Sequence, residues 1–254
     1  MRAAVWKHIL CPVDFSDTAG IGLRYAAALA RRSQSRLTVL YADRFEPPLY
    51  FTRSQVEHFM EQCRDCKAQA ERRLHEFVQT EFGPDSPEIE SRVVEGYPAE
   101  TIVRISRELN AGLIVMGTHG RSGLNRWTLG SVAEYVLGET QVPLLTVCPP
   151  MAPSPPSLAI RTILCPVNDT PAGRGALGYA AALAQCFAAR VTVLHVREKG
   201  GSHGIESLDT WRGFFGGKVL GTTTVRVVRH APCPVLSVPS QHPERGDISP
   251  RAEG

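Results

Sequence analysis

The residues best placed to do chemistry lie between positions 113 and 132. Leu113-Ile-Val-Met116 is a short apolar run of the kind that forms a fully buried strand. Gly117 and Gly120 punctuate the loop that follows, and Gly130-Ser131 opens a helix-like pattern carried by Val132, Ala133, Tyr135 and Val136. A strand, a glycine-bearing loop and a helix start, in that order, can cradle a phosphate. Glycines admit positive φ and let an anion approach the backbone N–H groups with no Cβ in the way. A helix beginning at Ser131 adds unpaired N–H donors, the positive end of the helix dipole and a hydroxyl. The spacing is neither the dinucleotide GxGxxG nor a Walker loop, because no Gly-Lys-Ser/Thr follows.

Around this stretch the chain alternates. Lys7–Val13 reads as a first buried strand. Thr18–Arg32 reads as an Ala/Leu-dominated helix, with Ser16 or Asp17 as N-cap. Arg36–Ala42 is the second strand, and a long polar helix runs to about Phe82. Ile89–Val94 is the third strand, and Pro98 sits in the first turn of the next helix. After the 113–132 stretch, Val142–Val147 supplies a fifth strand. Alternating β and α units with near-continuous apolar strands predict an α/β fold, a parallel sheet covered on both faces.

The chain then repeats itself. Ile9-Leu-Cys-Pro-Val13 recurs as Ile163-Leu-Cys-Pro-Val167, and Tyr25-Ala-Ala-Ala-Leu-Ala30 recurs as Tyr179-Ala-Ala-Ala-Leu-Ala184, both at an offset of 154. Pro143-Leu-Leu-Thr-Val147 matches Pro234-Val-Leu-Ser-Val238 at an offset of 91, so 63 residues are missing from the second copy. The gap removes the long helix, the third strand, the next helix and the fourth strand. The expected organisation is a complete copy over 1–149, a Pro-rich linker over 150–160, a truncated copy over 161–240 and a polar tail over 241–254.

The net charge of +3, with both signs interspersed, gives no basic patch of the kind nucleic acid requires. No apolar run approaches a membrane helix, and Met1–Pro12 has no signal-peptide character. A cytoplasmic protein with no nucleic-acid or membrane partner is expected. The seven cysteines do not read as a disulfide framework. Cys11, Cys148, Cys165 and Cys233 each precede a proline near a strand boundary, where cysteine behaves as a small apolar residue. Cys63-Arg-Asp-Cys66 lies within a helical run and lacks a second CxxC, so it is not read as a redox or zinc site.

Strand-Pro-Val-Asp14, Gly96-Tyr-Pro-Ala-Glu100 and Gly117-x2-Gly120-x9-Gly130-Ser131, in that order, resemble the motifs of the universal stress protein family. The resemblance covers nearly the whole chain as a tandem of one complete and one truncated copy. It implies a five-stranded parallel, doubly wound sheet of order 3-2-1-4-5, of the adenine-nucleotide alpha-hydrolase-like type, followed by an incomplete second copy. It implies ATP, accompanied by Mg2+, across the carboxyl ends of the strands. Asp14 would meet the ribose, Ala42 the adenine, and Met116, Gly117, His119, Gly120, Gly130, Ser131 and Val132 the phosphates, with Arg121 and Arg126 adding charge.

It further implies a stress-response regulator that binds nucleotide and pairs through its fifth-strand edge. Leu144–Val147 and Val235–Val238 are the candidate edges, either between two chains or, in imitation of a dimer, between the two copies of one chain. A homodimer through the first copy is the arrangement expected. No dedicated catalytic residues are expected. Slow ATP hydrolysis, and a structural role around a vestigial site, are the alternatives. The second copy carries Asn168 in place of the Asp and lacks an apolar strand before its Gly221, so a weak site or none is expected there.

Overall fold

The computed structural model describes residues 6–43, 53–82, 89–118, 129–148, 160–167, 170–195 and 222–239. Strand β1 (His8–Pro12) leads to helix α1 (Asp17–Ser33), β2 (Arg36–Asp43), α2 (Arg53–Phe82), β3 (Ile89–Glu95), α3 (Pro98–Glu108), β4 (Leu113–Gly117), α4 (Ser131–Glu139) and β5 (Leu144–Val147). The second copy contributes β6 (Thr162–Pro166), α5 (Pro171–Phe187), β7 (Arg190–Leu194), α6 (Thr222–His230) and β8 (Val235–Ser237).

The main sheet has the order β3-β2-β1-β4-β5-β8. Its first five strands run parallel in the expected 3-2-1-4-5 order, and β8 is antiparallel to β5. The apolar residues of each strand divide between its two faces. Ile9, Cys11, Val39, Val115 and Val147 pack with Leu23 and Leu29 of α1 and Leu74 and Val78 of α2. Leu10, Leu40, Ile114 and Leu144 pack with Ile102 and Ile105 of α3 and Val136 of α4. Both faces are therefore covered, as a parallel sheet requires.

The repeat holds at the level of individual hydrogen bonds. Ser16 caps α1 by accepting from the Ala19 N–H at 3.2 Å, and Thr170 caps α5 by accepting from the Gly173 N–H at 3.1 Å. Both helices end on a left-handed residue, Gln34 (φ 54°) and Ala188 (φ 53°). Val13 N–H donates to Leu40 O at 2.9 Å, and Val167 N–H donates to Leu194 O at 2.8 Å. The β6–β7 ladder also keeps the β1–β2 register: Ile9 faces Leu37 and Ile163 faces Val191.

Burial does not repeat. Leu164, Leu177, Val193, Leu194 and Val227 are 61, 38, 52, 45 and 48% exposed, whereas their counterparts Leu10, Leu23, Val39, Leu40 and Val136 are all 0% exposed. Among the described residues the second copy has no counterparts of α2, β3, α3 and β4, the elements that cover these positions in the first. Its β6 and β7 form a separate two-stranded sheet, while α5 rests on α1. There the Arg32 guanidinium lies 4.5 Å from the Phe187 ring centroid and donates to the Cys186 carbonyl at 3.2 Å.

The edge of β5 departs from the sequence expectation. It is occupied by β8 of the same chain, with Leu144 facing Ser237, Leu145 facing Leu236 and Thr146 facing Val235. The two strands are repeat counterparts, so the pairing has a pseudo-twofold axis through Leu145 and Leu236. Of the two pairings expected at this edge, the one present within the chain is that between the two copies. The physical reason is proximity. A strand tethered in the same chain meets the open backbone of β5 without the entropic cost of bringing two molecules together.

At the amino ends of the strands a polar chain runs from buried His8 and Thr38 to exposed Glu90. Thr38 Oγ1 donates to Glu90 Oε2 at 2.9 Å, so at 2.8 Å it must accept from His8 Nε2, which fixes the proton of the neutral ring there. Burial first, and the Arg36 charge second, hold the His8 pKa below the usual histidine range.

Two outcomes follow from this packing. Leu10→Ala should lower unfolding free energy by about 2–5 kcal/mol, while Leu164→Ala should change it by less than about 0.5 kcal/mol. Equilibrium urea unfolding of the two variants compares them; equal costs would mean that Leu164 is covered in solution. For His8, the unfolded chain binds the proton more readily than the folded one, so stability present above pH about 6.5 declines as pH falls below it. His8→Gln should flatten that limb of the stability–pH curve. The limb due to Glu90, whose pKa is lowered by its hydrogen bonds to Arg92 and Thr38 against the opposing effect of burial, lies further down in the carboxylate range and should remain.

Candidate functional site

A cavity of about 410 Å³ opens at the carboxyl ends of β1, β2 and β4. β1 pairs with β2 on one side and β4 on the other, and the chain leaves these neighbours in opposite directions, which parts the connecting segments and makes a crevice. Pro12, Val13 and Asp14 come from the end of β1, Leu40 to Asp43 from β2, and Met116 to Thr118 from β4. Gly130 to Ala133 at the start of α4, Pro98 and Ile102 of α3, and Ala19 of α1 complete the wall.

The turn after β1 is held by aromatic packing. Phe15 adopts a left-handed conformation (φ 64°), costly for a residue with a bulky side chain. Its ring lies 4.5 Å from that of Tyr41 and 5.6 Å from that of Phe77, with the Arg73 guanidinium 4.7 Å from its centroid. The turn presents Asp14 to the cavity. Asp14 Oδ1 accepts from the Ser16 hydroxyl at 2.6 Å and the Ser16 N–H at 3.1 Å, tying the carboxylate to the α1 cap. Asp14 is thus both a cavity residue and a partner of the helix start.

Across the cavity, Asp43 accepts from the Tyr41 hydroxyl at 2.6 Å, and its carbonyl accepts from the Gly96 N–H at 2.9 Å. Gly96 has φ 142°, and a Cβ there would stand 2.6 Å from Thr101 Oγ1, so only glycine suits the position. At the far wall, Thr118 N–H donates to Val147 O at 2.9 Å, and Gly130 N–H donates to Thr118 O at 2.8 Å. These two bonds close the base of the loop and set the start of α4. Gly130 is its N-cap and offers no side chain to cap it, so the first-turn N–H groups are available to an acceptor.

The cavity therefore combines two carboxylates, an apolar middle from Val13, Leu40, Ile102 and Met116, and a helix N-terminus with the Ser131 hydroxyl. Carboxylates accept from hydroxyl or amino groups, and the helix start favours an anion. Among the described residues no group of three or more His, Cys, Asp or Glu side chains is set to hold a metal ion.

Of the residues singled out from the sequence, Asp14, Ala42, Met116, Gly117, Gly130, Ser131 and Val132 line this one cavity. His119, Gly120, Arg121 and Arg126 lie outside the described residues, as do Asn168 and Gly221 of the second copy. Tyr41, Asp43 and Thr118 also line the cavity and were not singled out. Asp43 had a readable signal, an acidic residue at the carboxyl end of a strand next to β1. Thr118 had only its place between two glycine-loop residues.

Fold and cavity define an open α/β protein with a small-molecule crevice at the switch point of its sheet. Residues 6–147 match the model of the universal stress protein family. The chain belongs to the universal stress protein family. It is 28% identical over 156 residues to universal stress protein MJ0577 of Methanocaldococcus jannaschii, covering 57% of this chain and 96% of that protein. It is 30% identical over 147 residues to universal stress protein MJ0531 of the same organism, covering 58% and 84%. A universal stress protein structure from Archaeoglobus fulgidus is similar in fold over 78% of this chain and 68% of its own, with TM-score 0.50 and 18% identity.

Gly96→Ala should destabilise the fold by more than about 1 kcal/mol, since alanine at positive φ costs more than the entropy it saves in the unfolded chain. Chemical denaturation measures it. A neutral or stabilising result would show that the Gly96 N–H bond to Asp43 does not need this backbone.

Proposed function

We propose that the first copy, residues 1–149, is an adenine-nucleotide-binding regulatory unit that holds ATP with Mg2+ in the cavity. In this reading residues 150–160 are a linker, 161–240 a truncated second copy, and 241–254 a polar tail. The observation that supports it is the gathering of Asp14, Ala42, Met116, Gly117, Gly130, Ser131 and Val132, distant in sequence, around one crevice. The volume of about 410 Å³ falls in the range of small-molecule sites.

The assignment of ends follows the chemistry. Asp14 accepts from ribose hydroxyls, the backbone of Ala42 meets the base, and the N–H groups of Ser131 and Val132 with the Ser131 hydroxyl receive phosphate oxygens, Gly130 lying against them as the N-cap. His119 and Gly120 complete the phosphate side in this reading. A bound Mg2+ would neutralise phosphate charge, with the Ser131 hydroxyl as the group of this chain suited to face it.

Binding is favoured over turnover. Phosphoryl transfer draws on a cationic clamp and a group that orients the nucleophile, and the described lining holds two carboxylates and Ser131 but no lysine or arginine. No helix of the described residues is long and apolar enough to cross a membrane, and we read the protein as a cytoplasmic stress-response component.

Calorimetric titration of the full chain with Mg-ATP tests this. About one ATP per chain is expected, and Gly130→Ala/Ser131→Ala should weaken binding about ten- to a hundredfold, as hydrogen bonds to charged groups are worth about 1.5–3 kcal/mol. No binding by a protein purified free of nucleotide would sink the reading. Two ATP per chain would assign a working site to the truncated copy.

A further inference from the structure

We propose that Cys148 and Cys233 form a disulfide under oxidising conditions and so clamp β8 onto the edge of β5. The register of the two strands carries the inference. Thr146 faces Val235 in an antiparallel ladder. Continued two residues past that pair, beyond the end of β5 and before the start of β8, the same register sets Cys148 opposite Cys233. Facing residues of antiparallel strands have Cα atoms about 4.5–5.5 Å apart, inside the window of about 4.4–6.8 Å that a disulfide spans.

The surroundings agree with the register. After burial, Cys233 is among the causes that raise the Cys148 thiol. The Tyr25 phenol of α1 is raised first by burial and then by both Cys148 and Cys233. Both thiols are free, Cys148 partly buried and Cys233 exposed. Neither takes part in the cavity lining, so the inference stands apart from the nucleotide reading.

The oxidant class is a peroxide. The exposed Cys233 thiolate attacks one peroxide oxygen, the O–O bond breaks, and water leaves once the departing oxygen is protonated. Cys233 is then a sulfenic acid. The Cys148 sulfur displaces its hydroxyl, which leaves as a second water with the Cys148 proton. Two thiols and one peroxide give one disulfide and two waters, with two electrons passing from sulfur to oxygen. The order follows from exposure, because burial disfavours the Cys148 thiolate and leaves it the resolving group. The reduced ladder joins β5 and β8 through three residue pairs. Oxidised, the cap becomes covalent and the β5 edge is closed to any other strand.

The test uses the full chain, reduced, then treated with hydrogen peroxide, alkylated and digested with trypsin. Cys148 and Cys233 are the sole cysteines of tryptic peptides 127–161 and 230–245, so their link has an unambiguous mass. We expect that linked pair as the main product, lost on adding dithiothreitol and absent from Cys148→Ser and Cys233→Ser. Oxidation should slow amide hydrogen exchange across 235–237 by at least about tenfold, with no slowing in Cys233→Ser. Sulfinic acid at Cys233 without the linked pair would overturn the proposal. So would links to other cysteines or between chains as the main product. A linked pair that leaves exchange at 235–237 unchanged would overturn the clamp.

Discussion

The structure depends on β1 being paired on both sides. With β2 along one edge and β4 along the other, β1 is the strand at which the strand order reverses, and among the described residues its carboxyl end is where connections diverge from a shared strand. Asp14, the end of β2 and the start of α4 meet there for that reason. The pairing also buries both faces of β1: Ile9, Leu10 and Cys11 have no exposed surface. The second copy keeps the β1–β2 relation as β6–β7, yet among the described residues β6 has no strand in the place of β4. Without that neighbour there is neither a switch point nor a cover for Leu164.

This contrast explains what could be read from the sequence. Local features were legible twice over. The Ser16 cap, the helix after it and the alternation of strands and helices come from short-range chemistry and periodicity, while the 3-2-1-4-5 order was implied by the family resemblance; the repeat reproduces the cap at Thr170 and the β1–β2 register at β6–β7. Burial was not legible in the same way. Leu10 and Leu164 sit in the same pentapeptide, Ile-Leu-Cys-Pro-Val, and one is fully buried while the other is largely exposed. What differs is the presence of elements far along the chain, which no local pattern carries. The candidate site followed the same division. Glycines and Ser131 announced themselves by type and spacing, whereas Tyr41 and Thr118 enter the wall through strand pairing and a carbonyl of β5.

The edge of β5 shows a second limit. The family resemblance implied that both Leu144–Val147 and Val235–Val238 are edges able to pair, but their likeness leaves the choice of partner open. A strand and its repeat copy make an interface that is isologous in form whether one chain or two supply it. Tethering decides, and here the copy in the same chain takes the edge. The truncated half thus has a structural use although its own core is left partly uncovered. Its last strand removes an exposed edge that would otherwise invite association, and α6 lays Val228, 3% exposed, against the α3–α4 side of the first copy.

The cap and the crevice are joined by few bonds. β8 pairs with Thr146; the next residue, Val147, accepts from Thr118 N–H at 2.9 Å; and the Thr118 carbonyl accepts from Gly130 N–H at 2.8 Å. Each step is a main-chain hydrogen bond with no flexible side chain between. Gly130 caps the helix whose first turn faces the cavity. A strand held firmly at β5 therefore holds Thr118, and Thr118 holds the helix start.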